Sequence, residues 1–196
     1  NVRASLDLPE ATPIAPNLAS PVFDRLQSGI LRQARTAGTK AIYVEQPMTM
    51  VIVSDSMFHA SLQPFINWKR KKGFRIIEAY TQNPEVGSSY GSIKSYLQNT
   101  YEQPPEGYAP PSFLMIVGDV GQVPISEPGS YVTDLYYAEY DGGGDYIPDV
   151  FYGRISVSAD SQLVAVIEKI LEYEQYQFPD PSFLDRSVLI AGYDAT

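Results

Sequence analysis

From residue 48 onward, short apolar runs alternate with stretches of helical period. Met48 to Val53 (MTMVIV) is rich in apolar and β-branched residues, is ended by Ser54 and Asp55, and predicts a buried strand. Leu62, Phe65, Ile66 and Lys69 then recur at helical spacing until Gly73, with Lys69, Arg70, Lys71 and Lys72 in the last turn, where the helix dipole favours cations. Phe74 to Tyr80 (FRIIEAY) predicts a second strand. Tyr90, Ile93, Leu97 and Tyr101 mark a second helix, closed by Pro104 and Pro105, and Phe113 to Val117 (FLMIV) a third strand. An irregular stretch follows from Gly118 and Asp119 to about Asp149, with a strand-like run at Tyr131 to Tyr140. Val150 to Val157 predicts another strand. Leu163, Val166, Ile167, Ile170, Leu171 and Glu174 trace an amphipathic helix that starts near Ser158 or Asp160 and stops before Pro179. Ser187 to Ala191 (SVLIA) reads as a last buried strand. This alternation predicts an α/β fold, a mostly parallel sheet with helices on both faces.

Residues 1–47 differ. Pro9, Pro13, Pro16 and Pro21 interrupt every candidate element, which predicts an extended arm with at most a short helix at Val22 to Arg35. Trp68, at helical spacing, is expected to cover the sheet. The chain has 196 residues, 44% hydrophobic, enough for one domain with an added arm. Its net charge of -9 disfavours a nucleic-acid partner. No run of about 20 apolar residues is present to span a bilayer. With no cysteine in the sequence, disulfides, thiolate metal sites and a thiol nucleophile from this chain are excluded.

In open α/β sheets, ligands gather beyond the carboxyl ends of the strands. Acids stand after strands at Asp55, Asp119 and Asp194, and in the loop Asp141-Gly-Gly-Gly-Asp145-Tyr-Ile-Pro-Asp149. The glycines and proline forbid a helix there, so the three carboxylates either surround a hard cation, with calcium the natural candidate and Asp119 a further ligand, or form a solvated acidic turn. The loop lacks the Lys-Ser or Lys-Thr of a phosphate-binding loop, and no Gly-rich turn follows the first strand, which disfavours a nucleotide-binding domain. His59, the sole histidine, reads as a helix-end or packing residue, and no serine sits in a nucleophile elbow.

The runs LQPFINWKRKKGF, SSYGSIKSYL, FLMIVGD, VTDLYYAEYDGGGDYIPDVFYGRISVSA and SVLIAGYDAT, in this order and spacing, resemble the N-terminal half of the catalytic domain of the gingipains, secreted cysteine endopeptidases, nearer to their lysine-directed members. The likeness covers about residues 48–196. It implies a caspase-like α/β/α sandwich, with 1–47 as an arm or propeptide remnant, 48–186 as the first subdomain and 187–196 as the first strand of a second. It further implies calcium held by Asp119, Asp141, Asp145 and Asp149 and by the Ile147 carbonyl, with Asp194 as the catalytic acid that orients a histidine. The extra glycine puts the register of Asp141 in question. The family's histidine and cysteine lie beyond Thr196, so the resemblance implies an inactive fragment whose partner is the remaining catalytic domain and whose substrate is protein or peptide, cut after basic residues. Arg32 and Arg35 resemble sites for a protease directed at basic residues. The alternative is a non-catalytic, calcium-stabilised binding or propeptide module.

Overall fold

The computed structural model describes residues 47–125, 133–140 and 146–188. The expected arm, apart from Pro47, and the helix at Val22 to Arg35 lie outside the described residues, as do Arg32 and Arg35.

Four strands, β1 (Thr49–Ser54), β2 (Arg75–Tyr80), β3 (Pro111–Val117) and β4 (Phe151–Ile155), form one sheet in the order β2-β1-β3-β4. All three pairings are parallel. Every residue of β1 is buried, because this central strand is covered on both faces, and that is why its sequence is nearly continuous in apolar character rather than alternating.

The connections are helices α1 (His59–Lys71), α2 (Tyr90–Glu102) and α3 (Asp160–Glu174). The step from β1 to β2 runs in one direction along the sheet and the step from β2 to β3 runs back. Right-handed crossovers therefore send α1 and α2 to opposite faces. On one face Leu62, Phe65 and Ile66 of α1 join Leu163 and Ile167 of α3 over Met50, Ile52 and Val117. On the other, Ile93 and Leu97 of α2 pack over Val51, Val53, Leu114 and Ile116.

Local chemistry sets the helix ends. Ser89 caps α2 through a reciprocal pair: its hydroxyl accepts from the Ser92 N–H at 3.1 Å, and the Ser92 hydroxyl accepts from the Ser89 N–H at 3.1 Å. Gly73 ends α1 with φ of +92°, a conformation that costs glycine little. The Lys-rich last turn of α1 meets α3: Lys69 and Lys72 donate to Glu174 at 2.6 and 3.1 Å. The Trp68 indole N–H donates to the same carboxylate at 2.8 Å, so Trp68 belongs to the α1–α3 seam and not, as expected, to the cover of the sheet. Burial alone would raise the Glu174 carboxyl, but its donors Lys69, Lys72 and Trp68 outweigh that and hold it below the ordinary glutamate value.

One further expectation is corrected. Across its described residues the run Tyr131 to Tyr140 is not a strand of the sheet but a 3-10 turn at Leu135–Tyr137 and irregular chain on either side. Adjacent Tyr137 and Ala138 are both fully buried, a pattern that the two-residue alternation of a half-buried strand does not allow. At the C-terminal end, Ser187 and Val188 are exposed, non-strand residues, with Val188 at 82% exposure; the rest of the expected strand to Ala191 lies outside the described residues.

Candidate functional site at the sheet rim and the acidic loop

The strand order reverses between β1 and β3, and the crevice at their carboxyl ends is where an open parallel sheet receives ligands. Asp55 follows β1 and Asp119 follows β3. The Asp55 carboxylate accepts from the Met57 N–H and the Gln82 side chain, both at 2.8 Å, which ties the β1 turn to the end of β2. Asp119 donates its N–H to the Val157 carbonyl at 2.9 Å, and its Oδ1 accepts from Ser156 at 3.1 Å and from the Val120 N–H at 2.9 Å. His59 begins α1 and packs its ring on Tyr80 at 5.3 Å, in agreement with a packing role.

Arg154 of β4, which the sequence reading passed over, organises this rim. Its Nε and Nη2 form a two-pronged pair with Asp134 at 2.8 and 2.7 Å. Its Nη1 donates to the Gly118 and Val123 carbonyls at 2.9 and 3.0 Å, closing the turn that carries Asp119. One guanidinium thus joins β4, the turn after β3 and the turn of VTDLYY. The Tyr137 hydroxyl donates to the Pro124 carbonyl at 2.7 Å and fastens the same two turns a second time. The signal available in sequence was only that an arginine stands in a strand flanked by apolar residues, where a charge needs a partner.

The acidic loop leaves from the opposite end of the sheet. Its stem is closed where the Asp149 N–H donates to the Ala138 carbonyl at 2.7 Å and the Tyr140 N–H donates to Asp149 Oδ2 at 2.5 Å. From α2, Gln98 donates to the Tyr140 carbonyl at 3.1 Å and Lys94 donates to the Glu139 carbonyl, its ammonium 4.6 Å from the centre of the Tyr140 ring. Burial, with the Asp149 carboxylate and Tyr101 adding to it, pushes the Tyr140 phenol far above its ordinary value. Tyr146, at φ of +59°, turns the chain just before Ile147.

The ladder separates two residues expected in one cation site. Phe113 lies beside Phe151 and Val117 beside Ile155; Asp149 precedes the first pair by two residues and Asp119 follows the last by two. At about 3.3 Å per residue the two α-carbons stand on the order of 20 Å apart. Ligand oxygens about 2.3–2.6 Å from one calcium lie within about 5 Å of each other, so Asp119 and Asp149 do not share an ion. Asp141, Asp145 and Asp194 lie outside the described residues. Among the described residues no group of three or more His, Cys, Asp or Glu side chains could hold a metal, and no helix is long and apolar enough to cross a membrane.

Residues 43–196 match the model of peptidase family C25. Lys-gingipain of Porphyromonas gingivalis is 38% identical over 152 residues, 76% of this chain and 9% of that protein. Gingipain R2 of the same organism is 20% identical over 143 residues, 73% of this chain and 19% of that protein. A solved structure described as a protease superposes with a TM-score of 0.68 at 37% identity, covering 76% of this chain and 33% of its own. The crystal structure of the Arg-specific cysteine proteinase gingipain R gives 0.57 at 22% identity, covering 69% of this chain and 30% of its own, a likeness of fold. The chain therefore spans about a tenth of the length of Lys-gingipain and a third of the more similar solved chain.

Proposed function

The chain belongs to peptidase family C25, and from that premise we propose that it is the first α/β unit of the catalytic domain of a secreted cysteine endopeptidase that cuts protein chains after basic residues. The observation that supports this reading is the 38% identity to Lys-gingipain over 152 residues, together with the all-parallel β2-β1-β3-β4 sheet. In this reading the thiolate and the imidazole come from sequence beyond these 196 residues. The thiolate attacks the scissile carbonyl, the imidazolium gives its proton to the leaving amine, and Asp194 holds the imidazole in the tautomer that does so. What the described residues contribute is a rim fixed by Arg154 and Tyr137.

Calcium enters as a structural ion. The donor set fits a hard cation: Asp141 and Asp145 carboxylates, the Ile147 carbonyl, and Asp149 at a stem already closed by hydrogen bonds. An ion held by these residues would compensate the charge of the crowded carboxylates. Asp119 belongs to the other end of the sheet and is not part of this set. Addition of calcium to the chelated 196-residue chain should raise its melting temperature by mass action. Asp149→Asn should abolish the rise and Asp119→Asn should leave it; the reverse pattern, or no rise, refutes the site.

The peptidase reading is tested on the full-length gene product with peptides carrying Lys, Arg or Ala before the reporter group. Hydrolysis confined to the basic peptides, stopped by iodoacetamide and lowered by a factor on the order of 10²–10⁴ in Asp194→Asn, is expected. Activity indifferent to iodoacetamide excludes a cysteine mechanism. The alternative reading, a non-catalytic, calcium-stabilised binding or propeptide module of the same fold, predicts no hydrolysis of any of the peptides.

A further inference from the structure

Tyr90, Lys94, Gln98 and Tyr101 recur at spacings of four, four and three, which puts them on one stripe of α2 beside the core positions Ile93 and Leu97. That stripe grips the stem of the acidic loop residue by residue. The Tyr90 ring lies 5.0 Å from that of Tyr137, and the Tyr101 ring 4.9 Å from that of Tyr140. Between them Gln98 donates to the Tyr140 carbonyl at 3.1 Å, and the Lys94 ammonium, 4.6 Å from the centre of the Tyr140 ring, donates to the Glu139 carbonyl. Tyr140 and Val150, on either side of the loop, are both buried in the core of this face, so packing as well as hydrogen bonding anchors the stem.

The Glu139 carbonyl and the Tyr140 N–H belong to one peptide group. Its oxygen accepts from the Lys94 ammonium, and its N–H donates to Asp149 Oδ2 at 2.5 Å. A positive charge, a peptide dipole and a negative charge therefore stand in series; both hydrogen bonds are charge-assisted, and each polarises the peptide in the sense that strengthens the other. The Asp149 N–H closes the ring on the Ala138 carbonyl at 2.7 Å, so the aspartate is fixed by main chain and side chain at once. Groups that hydrogen-bond a ligating carboxylate hold its orientation, and their loss typically weakens metal binding by about 10–100-fold.

We propose that Lys94 is a positioning residue for the cation site of the acidic loop: through the Glu139–Tyr140 peptide it holds the Asp149 carboxylate in place for calcium. Lys94 thereby joins, from outside the loop, the calcium site proposed above, on whose existence its role rests. Two effects oppose each other here. A like charge one peptide away repels a cation, so repulsion alone predicts tighter calcium binding when Lys94 is removed, whereas lost positioning predicts weaker binding. At an ionic strength of about 0.15 M the screening length is about 8 Å, which mutes the repulsion. The test is calcium titration of the 196-residue chain by calorimetry at that ionic strength, with amide exchange of Tyr140 in chelator as a readout that needs no ion. Lys94→Met should weaken calcium binding by about tenfold, and should speed exchange at Tyr140, relative to that at Val53 in the central strand, by a similar factor. Lys94→Arg, which keeps both charge and donor, should return both readouts to within about threefold of the parent. If Lys94→Met does not fold, Lys94→Gln, which keeps a donor without the charge, should show both effects in smaller degree. Calcium uptake by the parent with equal or tighter uptake by the Lys94 variants, or Tyr140 exchange that keeps pace with Val53, overturns the role of Lys94 and leaves the calcium reading standing. No uptake by the parent refutes the calcium reading and the role of Lys94 with it.

Discussion

Removing the Arg154 side chain as Arg154→Met should be among the most damaging single changes in the described part of the chain. Arg154 and Asp134 are only 11% and 17% exposed, so their attraction is little screened, and the same guanidinium satisfies two carbonyls. Breaking such a pair by deleting one partner costs about 3–5 kcal/mol, because the other charge is left without compensation. The residual exposure of both groups places the expected loss near the lower figure, about 3 kcal/mol. In urea, with a slope of about 1–3 kcal/mol per molar, the midpoint should fall by about 1–3 M. Asp134→Leu should cost a similar amount by stranding the guanidinium. The double variant Arg154→Met with Asp134→Leu removes both charges and leaves only the Gly118 and Val123 carbonyls without their donor, at about 1 kcal/mol each. It should be more stable than the sum of the two single losses by roughly 2–4 kcal/mol. Losses that simply add, or a single variant within about 0.5 kcal/mol of the parent, would refute the view that this pair fastens the rim turns.

Other outcomes follow from the same coordinates. Because its donors hold the Glu174 carboxyl below its unfolded value of about 4.3, its stabilising effect is complete above that pH and is lost as pH falls through the folded value. Glu174→Gln should therefore lower stability near neutrality and flatten the loss of stability below about pH 4.3, measured by urea titration across pH; an unchanged acid limb contradicts the seam. Ser89→Ala should cost about 1 kcal/mol by removing the α2 cap. At Gly87, φ of +69° and the nearness of the Ser92 side chain leave no room for a Cβ, so Gly87→Ala should destabilise as well. Thermal unfolding that ranks either variant with the parent would remove the capping argument.

The legible part of this molecule was its element order. Met48 to Val53 and Phe113 to Val117 announced strands buried on two faces and Phe74 to Tyr80 a further strand, and the helices between them announced themselves by period, because burial imposes a local pattern that each segment carries whatever its neighbours are. Alternation of the two types then restricted the sheet to parallel pairing. The turn at Leu135–Tyr137 was misread as strand because aromatic and apolar residues there are buried by long-range packing under the rim and not by membership of a sheet. Trp68 was misplaced for a related reason: its partner, Glu174, stands 106 residues away.

By itself the sequence determined the α/β class, the strands and helices within a few residues, and a likeness to one peptidase family that its matched residues 43–196 bear out. Tertiary structure alone decided which acids meet. The place of Asp119 after a strand and the family resemblance suggested that Asp119 and Asp149 converge, but the parallel register of β3 with β4 carries them to opposite ends of the sheet. The pairing of Asp134 with Arg154 has no mark in the sequence beyond an arginine set in an apolar strand, since a charge is satisfied by whatever the register and the crossovers bring beside it.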